Sequence, residues 1–313
     1  MRPPFSVVFL TTLCGAAQGL LIALVAMQSA ATAGLLAMPA RSFFVAGATV
    51  SVVLGALGLL ASFFHLGHPE RAWRAIAMWR TSWLSRECLA VPAFLALTFA
   101  YGAMHWLALP YSLVVGLLAV LGAAVLYLCT AMIYACLRFL QEWASPYTLV
   151  NFVLLGCASG FTLATLVAAA TETSLVAVLG PCACIFTAAG ALSRLASLAR
   201  NARLHPRSTV QSATGIQAQK VVQKSQGFTS SSFNMREFFH GRSAATLAVV
   251  KGGFLLGAFI VPFVLVLLAS SRTAPVTVLA AAFAIQYLGL LAERWFFFAE
   301  ARHPQNIYYQ RAA

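Results

Sequence analysis

Long apolar runs recur along the whole chain, separated by short polar connections. A helix needs about 20 largely apolar residues to cross a bilayer, and windows that meet this demand lie near 5–27, 43–64, 87–107, 111–135, 148–170, 174–198, 246–269 and 275–298. The runs are continuous, whereas barrel strands alternate over short segments, so internally hydrogen-bonded helices satisfy the backbone better. The pattern predicts an all-α polytopic membrane protein with eight transmembrane helices. The whole chain, 1–313, is expected to form a single integral membrane domain with one long polar loop, 199–245, within it. The first run follows Arg2 as a signal peptide would, but it exceeds the usual signal core of about 7–15 residues and is expected to remain as an uncleaved helix.

Charge then orients the bundle. Only 9% of residues are charged against 61% hydrophobic, and the mean hydropathy is +0.86, so charge placement is easy to follow. An even number of spans puts both termini on one face, with connections 65–86, 136–147 and 199–245. Of the 20 Lys and Arg, all but Arg41 and Arg272 fall on that face. By the positive-inside bias both termini are expected in the cytoplasm, in a bacterial inner membrane. Six of the seven glutamates share that face, Glu172 being the exception. The loop from Arg200 is rich in Ser, Gln, Thr and Gly; it reads either as a linker or as a segment that orders on a soluble subunit or anionic headgroups. Basic residues that follow topology, with no recognition module beside them, argue against nucleic acid.

The stretch from His65 to Glu87, HLGHPERAWRAIAMWRTSWLSRE, is the polar island of the chain, with six charged residues and two histidines. Its histidines suggest haem, but His65 and His68 close segment two while His105 ends segment three at the opposite face, so they cannot ligate one macrocycle; no haem b is expected. The seven cysteines are scattered in apolar runs and match no cluster or zinc spacing, which leaves no metal expected in this chain. Ion-coupled transport would place ionisable residues near the helix centres. Arg138, Lys251, Glu293 and Arg294 instead read as residues near helix ends that snorkel to the interface. No internal repeat is evident, although Pro92 and Pro262 are positioned to kink two helices.

His65 and Glu87 remain, at the ends of two antiparallel neighbours and at one depth. An imidazole and a carboxyl beside an apolar pocket suit quinone chemistry, which needs hydrogen-bond partners for two oxygens and moves two protons. The plainer alternative is that His65 caps its helix and Glu87 pairs with an interfacial arginine. Arg71, Arg74 and Arg80 read as topology and headgroup contacts, or as guanidinium groups aimed at an acidic partner surface.

The segments SFFHLGHPERAWRA and RTSWLSRE resemble the membrane-anchor subunits of the dimethyl sulfoxide reductase type, the DmsC-like family, and the resemblance extends over essentially the whole chain. It implies a chain that anchors a molybdopterin catalytic subunit and an iron-sulfur subunit and exchanges electrons with membrane quinone or quinol. Iron-sulfur clusters and molybdopterin are then expected only in the partners. Carried onto matching positions, it implies that His65 and Glu87 line the quinone site. The opening PPFSVVFLTTLCGAAQGL, with RAWRAIAMWRTSWLSRE and QEWASPYTLVNFVLLGCASGFTLA, is more similar to the family's cytoplasmic sulfite-oxidising branch than to reductase anchors, which oxidise menaquinol. Two other classes stay open from the sequence: a transporter without redox partners, and an anchor whose partners meet quinone elsewhere.

Overall fold

The computed structural model describes residues 2–64, 66–219, 221, 240–271 and 276–304. Among these residues, eight helices are long and apolar enough to cross a membrane. They are α1 (Phe5–Thr32), α2 (Arg41–Phe63), α3 (Trp83–Trp106), α4 (Ser112–Ala135), α5 (Pro146–Thr171), α6 (Val176–Ala202), α7 and α8 (Val276–Glu300). Helix α7 consists of Ala244–Leu255 and Val261–Ser271, joined by a π-helical turn, Leu256–Ile260. Between α2 and α3 the chain forms a 3₁₀ segment, Pro69–Ile76. The polar loop is shorter at both ends than its composition suggests, because α6 runs on to Ala202 and α7 starts at Ala244. Its described residues include a short helical turn at Val210–Thr214.

Packing divides the helices into two groups of four. Helices α1–α4 pack in a ring, α1 on α2, α2 on α3, α3 on α4 and α4 on α1, and α5–α8 repeat the same order. The groups meet along α1 and α5. These are also the most enclosed helices, with 72% and 78% of their central windows buried, against at most 39% for the others. The packing therefore contains a repeat that the sequence does not display.

Small residues explain the seam. Gly15 and Gly19 on α1 face Gly156 and Gly160 on α5, and a Cβ at Gly19 or Gly160 would collide with the opposing backbone. Between helices in lipid, where apolar burial does not drive association, such close backbone approach supplies the packing. Polar ties flank it: Gln18 donates to the Ala123 carbonyl at 2.9 Å and Tyr127 to the Gly15 carbonyl at 2.9 Å, joining α1 to α4. At the far end, the Ala40 N–H before α2 donates to Glu172 Oε2 at 2.6 Å.

The start of α1 and the end of α8 lie at one end of the bundle. There Val8, Tyr134, Trp143, Phe152, Phe297 and Phe298 form a cluster. Glu87 sits toward this same terminal end, near the start of α3.

Candidate functional site

Helix α3 begins four residues before Glu87, because Ser82 caps it by accepting a hydrogen bond from the Ser85 N–H at 3.3 Å. Glu87 therefore stands past the first turn, and its side chain points into the bundle instead of serving the helix dipole. It is buried, and Thr130 Oγ1 on α4 donates to its Oε1 at 2.5 Å. Among the described residues no Lys or Arg forms an ion pair with it. The neighbouring Arg86 turns away: its Nε and Nη2 donate to the Trp79 and Arg80 carbonyls at 2.9 and 2.7 Å, and its guanidinium covers Trp83. The pairing of Glu87 with an interfacial arginine is thus not what this end of α3 does.

Glu87 lines a cavity of about 10 Å³ with Leu10, Cys14, Gln18, Tyr127, Thr130 and Phe152 among its walls, room for about one water molecule. A wider space of about 320 Å³ opens at the same end between α1 and α2, lined by Ser6, Phe9, Leu57, Leu60, Ala61 and Phe64. Gly58 lies between them: a Cβ there would press on Cys14 Sγ and Leu10, both walls of the Glu87 cavity, while its neighbour Leu57 faces the groove. His65 follows Phe64 directly but lies outside the described residues, so its approach to Glu87 has no geometry to report.

Arg71, Arg74 and Arg80 are all exposed in the connection between α2 and α3. Residues three apart share a face of a 3₁₀ helix, which places Arg71 and Arg74 together on the segment Pro69–Ile76. Arg71 is 3.8 Å from Glu70, and Arg74 and Arg80 lie over Trp73 and Trp79 at 5.5 Å. His68 is 3.0 Å from Glu70 and exposed. His105 is far from both, at the other end of α3, stacked on Phe44 at 4.3 Å with Gln28 beside its Nε2. None of the seven cysteines forms a disulfide.

Glu293 and Arg294 depart from the sequence expectation. Neither snorkels to the surface: both are buried, together with Arg194 of α6. Arg194 Nε approaches Glu293 Oε1 to 2.7 Å, an ion pair without hydrogen-bond alignment, and its Nη2 lies 3.6 Å from Glu300 Oε2. Arg294 Nη2 is 3.7 Å from Glu293 Oε2. Two cations thus balance two acids, the condition for keeping charges out of water.

The quartet belongs to a longer ladder. On α8, Gln286, Glu293 and Glu300 recur every seven residues; on α6, Thr187, Arg194 and Asn201 do the same. Gln286 Nε2 donates to Thr187 Oγ1 at 3.1 Å, and Asn201 lies against Glu300. The innermost rung meets the π turn of α7. Pro262 has no N–H to give the carbonyl four residues back, and Gln286 Nε2 reaches that carbonyl, Ala258 O, at 3.4 Å. Sequence reading passed over Arg194 and Thr130. The signal for Arg194 was its position, eight residues inside an apolar helix and opposite acids of matching spacing.

A family model described as DMSO reductase anchor subunit (DmsC) matches residues 1–299. The sulfite dehydrogenase C subunit of Allochromatium vinosum is 50% identical over 329 aligned positions that cover 100% of both chains.

Proposed function

Because the chain belongs to the DMSO reductase anchor subunit family, and so is the membrane-anchor subunit of an oxidoreductase, we propose that it exchanges electrons between a docked iron-sulfur subunit and membrane quinone at Glu87 and His65. The observation that carries this reading is the Glu87 carboxyl: buried, held by Thr130, and without a counter-cation among the described residues. A carboxyl in that setting can lend a proton to a quinone oxygen or take one from a quinol, which is the bond-making that two-electron turnover requires. The 10 Å³ cavity is too small for a quinone ring, while the adjoining groove beside Phe64 is large enough. In our reading the ring enters from that groove and reaches Glu87 by displacing the Leu10 side chain.

Likeness over full length to a sulfite dehydrogenase subunit supports sulfite oxidation as the reaction of the complex, with electrons passing from a molybdopterin subunit through iron-sulfur clusters to quinone. The cofactors other than quinone then belong to the partners. Placing the termini in the cytoplasm of a bacterial inner membrane follows the charge bias, and puts Arg71, Arg74 and Arg80 where a soluble partner docks. A reductase anchor oxidising menaquinol would use the same residues in the reverse direction. Transport without redox partners does not fit an anchor-family chain.

The test is quinone-dependent turnover of the purified complex in Glu87→Gln and His65→Ala variants. Both are expected to lose quinone activity while soluble-acceptor activity persists; unchanged quinone kinetics in both would remove these residues from the site.

A further inference from the structure

The polar walls of the small cavity differ in what each has left to offer a ligand. Tyr127 spends its hydroxyl hydrogen on the Gly15 carbonyl at 2.9 Å, and Thr11 on the Val7 and Val8 carbonyls at 2.9 and 3.2 Å. The Cys14 thiol, a weak donor, faces the Gly55 carbonyl at 4.0 Å. Buried threonines elsewhere in the bundle, Thr98, Thr162 and Thr165, donate to the carbonyl four residues back, whereas Thr130 gives its hydrogen to Glu87 Oε1. Glu87 Oε2 forms no hydrogen bond among the described residues.

Gln18, on the same cavity, has capacity to spare. It is buried, and one N–H of its amide donates to the Ala123 carbonyl at 2.9 Å. A primary amide has two N–H donors and an acceptor oxygen, and among the described residues the second N–H and Oε1 form no hydrogen bond. The turn of α1 that carries it is pinned from two sides, by Tyr127 of α4 on Gly15 and by Ser51 of α2 on the Ala17 carbonyl at 2.8 Å. The amide is thus held in place before any ligand arrives. Leu10, Cys14 and Gln18 stand four residues apart and share one face of α1, with Leu10 nearest the terminal end and Gln18 two turns further in.

We propose that this cavity seats a single carbonyl oxygen of the quinone ring, and that Gln18 is the second residue that grips it. The inference rests on the quinone reading of Glu87. Space for about one water is space for one oxygen, so the ring stays where Leu10 yields and projects one carbonyl past Cys14, between the Glu87 carboxyl and the unused amide N–H. The opposite oxygen lies outside the cavity, and the two carbonyls meet different surroundings. Reduction turns the seated oxygen from an acceptor into a hydroxyl. The amide suits both forms, because its N–H donates to the carbonyl and its Oε1 accepts from the hydroxyl.

The experiment records infrared difference spectra of the purified complex while ubiquinone, carrying carbon-13 at one ring carbonyl or the other, is reduced electrochemically. In the parent, one carbonyl stretch should lie clearly lower than the other. Gln18→Met keeps the length of the side chain and removes its hydrogen bonds; it should raise the low stretch, leave the other in place, and increase KM for quinone about two- to tenfold, the effect of one neutral hydrogen bond. Gln18→His returns a donor and should bring the stretch part of the way back, which a purely structural role for Gln18 does not predict. Equal stretches for the two carbonyls in the parent would overturn the seat, and that measurement decides the matter should Gln18→Met fail to assemble. If Glu87→Gln loses quinone turnover while Gln18→Met keeps the parental stretch and KM, the inference is wrong and the quinone reading stands; if Glu87→Gln turns over quinone as the parent does, the quinone reading has failed.

Discussion

The seam between α1 and α5 invites a contrast between two glycine-to-alanine changes that sequence alone would treat as equivalent. At Gly160 the added methyl meets Gly19 and the Leu20 nitrogen, backbone atoms that cannot rotate away. At Gly15 its nearest neighbour would be Gly156 Cα at 3.5 Å, an ordinary contact. Overpacking a rigid site costs up to about 3 kcal/mol, against which alanine's helix preference returns about 1 kcal/mol. Gly160→Ala should therefore lose about 2 kcal/mol, while Gly15→Ala gains up to about 1 kcal/mol from the same preference without the collision. The gap of about 3 kcal/mol is large against typical single-site effects. It can be read by titrating the purified chain in mixed micelles with sodium dodecyl sulfate and following tryptophan emission or circular dichroism. Gly160→Ala should unfold at lower detergent fraction than the parent, and Gly15→Ala at the same or a higher one. Equal midpoints for the two variants would mean that the glycine contacts do not set the distance between the bundles.

Other substitutions test the sites more locally. Thr130→Val removes the hydrogen bond to Glu87; bonds to charged groups are worth about 1.5–3 kcal/mol, so wherever turnover uses the ionised carboxylate kcat/KM for quinone should fall by about tenfold or more, whereas Thr130→Ser should retain most activity, and a valine variant with parental kinetics would refute the role. Arg194→Met leaves Glu293 buried without its closest cation. Such a change costs about 3–5 kcal/mol, and adding Glu293→Leu should recover part of the thermal stability; additive losses would show that the two groups do not interact. Reversing charge at exposed Arg71, Arg74 and Arg80 should weaken co-purification of the soluble subunits and flatten its dependence on salt. Unchanged recovery at all ionic strengths would move the docking surface elsewhere.

The eight spans were legible because length and hydropathy act along one dimension, and an apolar run long enough to cross a bilayer has few other fates. Boundaries moved where capping overrode hydropathy. Ser82 starts α3 early and carries Arg86 and Glu87 inside a helix that composition would begin at residue 87. Glu87 itself was recognisable, as a carboxyl next to a polar island and within a family-like motif. Thr130 and Arg194 were not, since each matters through a partner 43 or 99 residues distant in the chain. Glu293 and Arg294 misled for the same reason: seven residues from a helix end is within reach of snorkelling, and only the packing of α6 decides that they turn inward. The repeated arrangement of the two bundles left almost no trace in residue identity, apart from the glycine pairs at Gly15 and Gly19 and at Gly156 and Gly160.

The distance in sequence between Arg194 and Glu293 also bears on how the chain is made. Arg194 leaves the ribosome 99 residues before its acid. At about 5–20 residues per second, that is a wait of roughly 5–20 seconds in which α6 holds an arginine well inside its apolar length with no carboxylate to meet it. A lone arginine costs at most about 2.5–3.5 kcal/mol on the insertion scale, the value for a helix centre, so α6 should linger at the protein-conducting channel or lean on earlier helices until α8 arrives. The last helix then acts as the latch of biogenesis. Chains truncated before residue 293 should remain accessible to membrane quality-control proteases, although seven of their eight spans are present.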